Sequence, residues 1–548
     1  MFKKISNKFV YFFFFVFLLV GISTFKDYGI SVDEEYHRFA GFYWLKYVLS
    51  FTSLEELKIS TNFKFNQIKD FTLPHPKDNI YYGPFFDMPM AFFEVIFKID
   101  DPKNYFYLRH IAGFIIFFIG SIYFYKLLLN RFFSKNISLI GTLFFVLSPR
   151  IYGSSFFNPK DVVFLSLATI ALFYCFKVFD KFNYKNLLIF SFFSALCLSH
   201  RFLGIFIPIS FLFFYFLSIL SNTKDLKNVS GIIFFCFFYI IFLILLWPVL
   251  WTGPLESFIA AFKFFSDHYL KINILFNGEY VQSDRLPFSY IPIWIFISSP
   301  ILYTVLFLIG YFYIFRNFIL NFINVKEGNS TYDLWNNNEE KKDLFILFNI
   351  TCVIIYFITF DIVLYNGWRH AYFVNIFIIY VSIYAFFKIY LKLKLNVQKK
   401  TQIILTLCYL IFILSKMIIY HPYQNIYFNS IFSNANIHKK FEVDYWGLSG
   451  QKFLTEILAL EKNKRPIEIG VASWLPLHRS IKMIDKNNRE KIKIIGQEYQ
   501  NADYIYSNFV SEVDKYNNDK YKIPANFTQV DEFILDNIKI YKVFKKNN

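Results

Sequence analysis

Four short stretches of the chain carry side chains capable of chemistry: Asp33-Glu34-Glu35, Arg150 with Asn158-Pro159-Lys160-Asp161, His200-Arg201, and Arg369-His370. They stand out because only 18% of the 548 residues are charged, and each stretch borders a long apolar block. A carboxylate can take a proton from a hydroxyl. Arginine grips a phosphate with a planar fork and lysine with a point charge. Cations fixed where negative charge develops ease the departure of a phosphate. The chemistry this set suits is transfer of a group from a lipid phosphate, at headgroup level, to an acceptor hydroxyl. No Gly-rich phosphate loop is present, which argues against a nucleotide donor. Any one of these residues has a plainer reading: Asp33 and Glu34 as a solvated helix end, Arg201 as a snorkelling side chain. Four separate turns presenting acids and cations together are harder to explain that way, because charge at a membrane edge is costly and is usually functional or paired.

Apolar blocks hold those turns apart. The chain is 56% hydrophobic and 23% aromatic, and its blocks match the roughly 20 residues needed to cross about 30 Å of hydrocarbon. Eleven membrane helices are expected, near residues 9–25, 106–129, 137–152, 161–179, 186–199, 203–220, 229–251, 290–315, 344–364, 371–391 and 401–420. Lysine-rich loops alternate with poor ones, which places the N-terminus in the cytoplasm and the C-terminus outside. All four reactive stretches then fall on the outer side. The first block follows Lys3, Lys4 and Lys8 but lacks a small-residue cleavage site, so it reads as a retained helix. The run 187–220 is broken only by Ser199-His200-Arg201. As one helix it would be roughly 51 Å long, so two helices meeting at His200-Arg201 are expected. Segment 84–97 is too short to span, carries Asp87 and Glu94, and reads as interfacial. Segment 254–276, with Phe258, Ile259, Phe262 and Phe265 at helical spacing, reads as an amphipathic helix on the membrane plane.

After Tyr420 the composition turns polar. Residues 1–420 are expected to form the membrane domain, with 26–105 as its first outer loop, and 421–548 a small extracytoplasmic α/β domain. Within it, Ser449 starts a helix, 467–472, 491–495 and 503–506 alternate like strands, and Asp536-Asn537 joins a hairpin. The formal charge of +17 sits largely in short loops between apolar blocks, with no basic and aromatic groove of the kind that binds nucleic acid. Membrane lipids, rather than nucleic acid, are the expected surroundings. Cys175, Cys197, Cys236, Cys352 and Cys408 all lie within apolar blocks and read as packing residues.

Ser31-Val32-Asp33-Glu34-Glu35-Tyr36-His37 resembles the Asp-Glu motif in the first outer loop of the GT-C glycosyltransferases. Within them it is similar to the branch of protein O-mannosyltransferases and lipid A aminoarabinose transferases (glycosyltransferase family 39). Ser148-Pro149-Arg150-Ile151-Tyr152-Gly153 with Asn158-Pro159-Lys160-Asp161 resembles that branch's segment before helix four, and Gly367-Trp368-Arg369-His370 its late Arg-aromatic segment. The resemblance implies a polytopic all-α membrane fold of GT-C type. It implies a catalytic Asp33, with Glu34 supporting it or touching the acceptor, and phosphate contacts from Arg201 and Arg369, to which Lys160 is added here. Asp161, His200, His370, Tyr82 and Asp87 are candidate substrate contacts. Where many members have a lysine after helix five, this chain has His200-Arg201. Some relatives bind a divalent metal, and Asp33 and His37 stand at i,i+4; no metal or other cofactor is expected here. The expected activity is transfer of a hexosyl or pentosyl group from a polyprenyl-phosphate sugar to a hydroxyl of a protein, lipid or glycan, at the outer face of the cell (inner or plasma) membrane. The alternative is a transporter or flippase of lipid-linked sugars. Such proteins tend to use internal repeats and sites near the membrane midplane, and neither is seen here.

Overall fold

The structure is a computed structural model that describes residues 6–68, 81–221, 226–266, 270–323, 334–360, 362–461, 465–512 and 519–547. Among them, nine helices are long and apolar enough to cross a membrane, or up to ten if a bent pair counts as one span. The chain is a multi-pass membrane protein. The expected span at 137–152 is one arm of that pair, Lys135–Val146 and Pro149–Phe157, bent by 63°. Pro149, which has no N–H to continue the first helix, starts the second arm. The expected span at 186–199 is a 17-residue helix, Tyr184–His200, at the short end of what can cross. Pro300 divides the expected 290–315 helix into Tyr290–Ser298 and Ile301–Ile323.

The break at His200-Arg201 is as expected. The helix ends at His200, Arg201 is extended, and a 3-10 turn over Phe202–Ile205 leads into Phe206–Ser221. Gly204 makes this fold-back possible, since a Cβ there would lie 2.3 Å from the carbonyl carbon of Cys197.

The first long loop, within 26–105, is more ordered than the sequence suggests. It holds the helices Glu34–Leu49, Glu55–Ile68 and Asp87–Ile96. The last buries Asp87, Met90, Ala91, Glu94 and Val95, an i, i+3, i+4, i+7 stripe packed on protein rather than on lipid. It crosses Glu34–Leu49 closely, because a Cβ on Gly41 would lie 2.2 Å from the Asp87 carbonyl oxygen. A buried fork of Arg38 on Glu94 (Nε to Oε2 3.0 Å, Nη2 to Oε1 2.5 Å) ties the two helices.

The amphipathic helix is present over Pro254–Ser266, but the expectation that it continues to 276 is wrong. Strands β1 (Asn273–Phe276) and β2 (Glu279–Gln282) pair there as an antiparallel hairpin. Its turn, Asn277-Gly278, takes φ of 53° and 93°, the left-handed geometry that Asn-Gly adopts in tight hairpins.

Beyond helix Asn396–Ile419, residues 421–448 carry no long helix or strand and lie against the membrane helices. Arg150 Nε donates to the Tyr427 carbonyl at 2.9 Å and Asn429 Nδ2 to that of Phe296 at 2.7 Å. Helix Ser449–Leu460 then leads into strands β3 (Ile467–Val471), β4 (Ile492–Gly496), β5 (Tyr504–Ser507), β6 (Phe527–Leu535) and β7 (Ile538–Lys546), in sheet order β4-β3-β5-β7-β6. β3 runs parallel to β4 and β5, while β7 is antiparallel to β5 and β6. The sheet unit is docked on this first long loop. Arg479 Nε meets Glu35 at 3.0 Å, Lys482 also pairs with Glu35, Lys103 reaches Asp485 at 2.6 Å and Arg489 reaches Asp101 at 2.8 Å.

Candidate active site

A cavity of about 300 Å³ lies where the first long loop, three interhelical turns and the sheet unit meet. Asp33, Tyr36 and His37 reach it from the start of helix Glu34–Leu49, and Tyr82 from the turn before Asp87–Ile96. Lys160, Arg201, Arg369 and His370 come from the interhelical turns. Trp474, His478 and Arg479 roof it from the loop after β3.

Asp33 is the N-cap residue of its helix, but its side chain does not cap. It pairs instead with Arg369 across the cavity. Burial alone would raise the Asp33 carboxyl; Arg369 above all, with His37 and Arg479, outweighs that and holds it below its ordinary range. The Arg369 guanidinium is correspondingly pushed up against the pull of burial, with Asp33 the largest opposing cause. Its Cζ also lies 4.7 Å from the ring centroids of Tyr365 and Trp446, a cation–π setting that helps hold its orientation.

Glu34, expected beside Asp33, faces away from the cavity. It accepts the Ser31 N–H at 2.7 Å and meets His110 Nε2 at 2.9 Å, and it is 1% exposed. One residue further along a helix turns the side chain by about 100°, which carries Glu34 off the wall that Asp33 lines. Glu34 completes the helix start rather than the site.

Arg201 pairs with Asp161. Asp161 in turn receives Asn158 Nδ2 at 2.8 Å and sits behind the wall, not on it. His200 is likewise off the cavity. Its Nε2 lies 3.2 Å and 3.1 Å from the Pro159 and Lys160 carbonyls, where it pins the turn that presents Lys160. Asp87 is also a backing group, held by His37 Nδ1 at 3.3 Å and Arg109 Nη1 at 3.2 Å. Burial works to raise its carboxyl, and these two partners more than reverse that, to about 2.

Lys160 is the exceptional cation. Its Nζ lies 3.4 Å from the centroid of the Tyr82 ring, it is 5% exposed, and among the described residues no carboxylate stands within ion-pairing distance. Burial depresses its amine to about 7, against the opposing pull of Asp87. The wall thus presents four cations, Lys160, Arg201, Arg369 and Arg479, and one carboxylate, Asp33. Three of those cations already have acid partners.

Of the residues singled out in the sequence, Asp33, Lys160, Arg201, Arg369, His370 and Tyr82 meet in this cavity, while Glu34, Asp87, Asp161 and His200 support it from behind. Sequence reading missed the roof. Trp474-Leu475-Pro476-Leu477-His478-Arg479 is a turn-rich run after a strand, and its aromatic and basic content was the available signal. Among the described residues, no three His, Cys, Asp or Glu side chains converge as metal ligands.

Residues 88–251 match the family of dolichyl-phosphate-mannose-protein mannosyltransferases. No curated protein sequence matches the chain. Among solved structures, ArnT from Cupriavidus metallidurans bound to undecaprenyl phosphate shares 9% identity over 98% of each chain, with a TM-score of 0.46. The apo form of the same protein shares 9% identity over 98% of each chain, with a TM-score of 0.44. The family match takes in Lys160, Asp161, His200 and Arg201 but neither Asp33 nor Arg369. It bears out the resemblance to the mannosyltransferase branch of the GT-C enzymes and supports a membrane glycosyltransferase.

Proposed function

We propose that this protein moves a sugar from a polyprenyl-phosphate donor to an acceptor hydroxyl at the extracytoplasmic face of the cell membrane, with its N-terminus in the cytoplasm and its C-terminus outside. The observation that carries this reading is Lys160: a buried cation without an acid partner among the described residues, on the same wall as Arg201 and Arg369 and in the same cavity as a carboxylate. A cation in that state is a poor arrangement for stability and a good one for an anion that arrives later. The donor phosphate would supply the missing charge. Arg201 and Arg369, oriented by Asp161 and Asp33, add donors to the phosphate as the bond to the sugar lengthens.

Asp33 is the carboxylate placed to receive the acceptor hydroxyl. Tyr82, held over Lys160, and His370 bound the space left for the sugar. A cavity of about 300 Å³ is at the small end of ligand sites, the scale of one sugar and its phosphate rather than a long saccharide. The description of the matched family, which names a dolichyl-phosphate mannose, supports the same donor class. The reading requires no cofactor, and a protein, lipid or glycan could supply the hydroxyl. The test is purified full-length protein with a polyprenyl-phosphate mannose labelled in the sugar and a cell-envelope extract as acceptor. Label appearing in the extract, with release of polyprenyl phosphate, is the expected result; unreacted donor across extracts would contradict it.

A further inference from the structure

Asp33 is placed to meet the acceptor, but it is a weak base. It is paired with Arg369 and held below the ordinary carboxylate range, so it can take a proton only in passing. The proton therefore needs a second acceptor within reach on the same wall. His37 stands one helical turn on from Asp33, its N–H bonded to the Asp33 carbonyl at 3.1 Å, so the two side chains share a helix face. Both line the cavity.

The surroundings of His37 are specific. Its Nδ1 meets Asp87 Oδ2 at 3.3 Å, and Arg109 holds the other Asp87 oxygen at 3.2 Å. Gly41, one turn further on, is what lets the Asp87 backbone come this close. A carboxylate on Nδ1 fixes the tautomer with its proton on that atom and leaves Nε2 as the acceptor. Among the described residues, Nε2 has no partner. The charged groups around the ring are Asp33 on its own helix, Asp87 from Asp87–Ile96 and Arg109 from Pro102–Phe132, with Lys160 and Arg479 elsewhere on the cavity wall. A purely structural ion pair would need neither a ring face on the cavity nor a free nitrogen.

We infer that His37, oriented by Asp87, is a catalytic acid–base residue of this site, receiving at Nε2 the proton that Asp33 draws from the acceptor hydroxyl. This rests on the function proposed above. As the acceptor oxygen bonds to the anomeric carbon, its O–H bond breaks and the proton passes by way of Asp33, directly or across one water, to His37. The bond from the anomeric carbon to the phosphate oxygen breaks, and its electron pair leaves with the polyprenyl phosphate beside Lys160. The positively charged imidazole formed is stabilised by Asp87.

The test compares full-length wild type, His37→Gln and His37→Ala in the labelled polyprenyl-phosphate mannose assay, with thermal unfolding checked for each. Gln can still donate to Asp87 but cannot hold a proton. Its kcat is expected to fall about 10²-fold or more, with KM for the donor changed little. Added imidazole is expected to restore part of the rate to His37→Ala and none to wild type. Wild-type kcat in His37→Gln, or a loss confined to KM, would overturn the inference while leaving the glycosyltransferase reading intact. A folded His37→Ala protein that imidazole does not rescue counts against it as well. No transfer by wild type would overturn both.

Discussion

The pH dependence of donor binding follows from one side chain. Lys160 is buried, sits over Tyr82, and has its amine depressed to about 7 by loss of hydration. A polyprenyl-phosphate sugar is a phosphodiester whose single charge does not titrate near neutrality, so the proton that changes on binding is lysine's. Here the sign matters. The protonated amine attracts the phosphate, the bound phosphate holds the proton on, and affinity is therefore full below about 7 and falls as pH rises above it. With the free amine at about 7, the protonated fraction drops from about nine-tenths at pH 6 to about one-tenth at pH 8. That predicts a roughly tenfold weakening, about 1.4 kcal/mol, across that interval. Lys160→Gln should remove this slope. At pH 6 it should also cost on the order of 1.5–3 kcal/mol, the worth of a charge-assisted contact, or about ten- to a hundredfold in Kd. The assay is titration calorimetry with the polyprenyl-phosphate sugar across pH 5.5–8.5 for both proteins. A pH-independent Kd in wild type, or the same slope in Lys160→Gln, would refute the assignment of the phosphate to Lys160. Stability moves the opposite way. The folded state holds this proton less tightly than the unfolded chain does, so the lysine's contribution to stability improves as pH rises from about 7 toward the ordinary lysine range.

Glu94→Gln leaves Arg38 buried without its fork partner, with Lys64 also 3.6 Å from that carboxylate, and should cost about 3–5 kcal/mol, read as a lowered Tm. Topology reporters fused after Asn548 and inserted at Asn337 should report the outside and the cytoplasm respectively; both on one side would refute the orientation.

The membrane architecture was legible because apolar blocks of spanning length dominate the chain. The strands around Ile467 and Ile492 and the Asp536-Asn537 hairpin followed from two-residue alternation and turn chemistry, and the break at His200-Arg201 from length alone. What could not be read was which side of an element faces the cavity. Asp33 and Glu34 look equivalent in sequence, yet Asp33 lines the cavity while Glu34 is turned to Ser31 and His110. Helices in the first long loop were hidden because their stripes include buried ion pairs such as Arg38 with Glu94, which resemble a solvated surface. The β1–β2 hairpin was lost because the preceding phenylalanines extend a helical pattern up to its Asn-Gly turn. Where the roof docks was beyond local reading: Arg479 donates to the Val32 carbonyl 447 residues away, and no local pattern reports such a contact.

The central claim is that the cavity behind Asp33 is where a sugar leaves its lipid phosphate for a hydroxyl. Asn is nearly isosteric with Asp33 and can still accept a hydrogen bond from Arg369, but it cannot take a proton. The most direct measurement is the sugar-transfer rate of Asp33→Asn against wild type, both shown by thermal unfolding to be folded and by calorimetry to bind donor. The account predicts a loss of about 10²–10⁴-fold in kcat with donor affinity largely kept. Equal rates in the two proteins would contradict it.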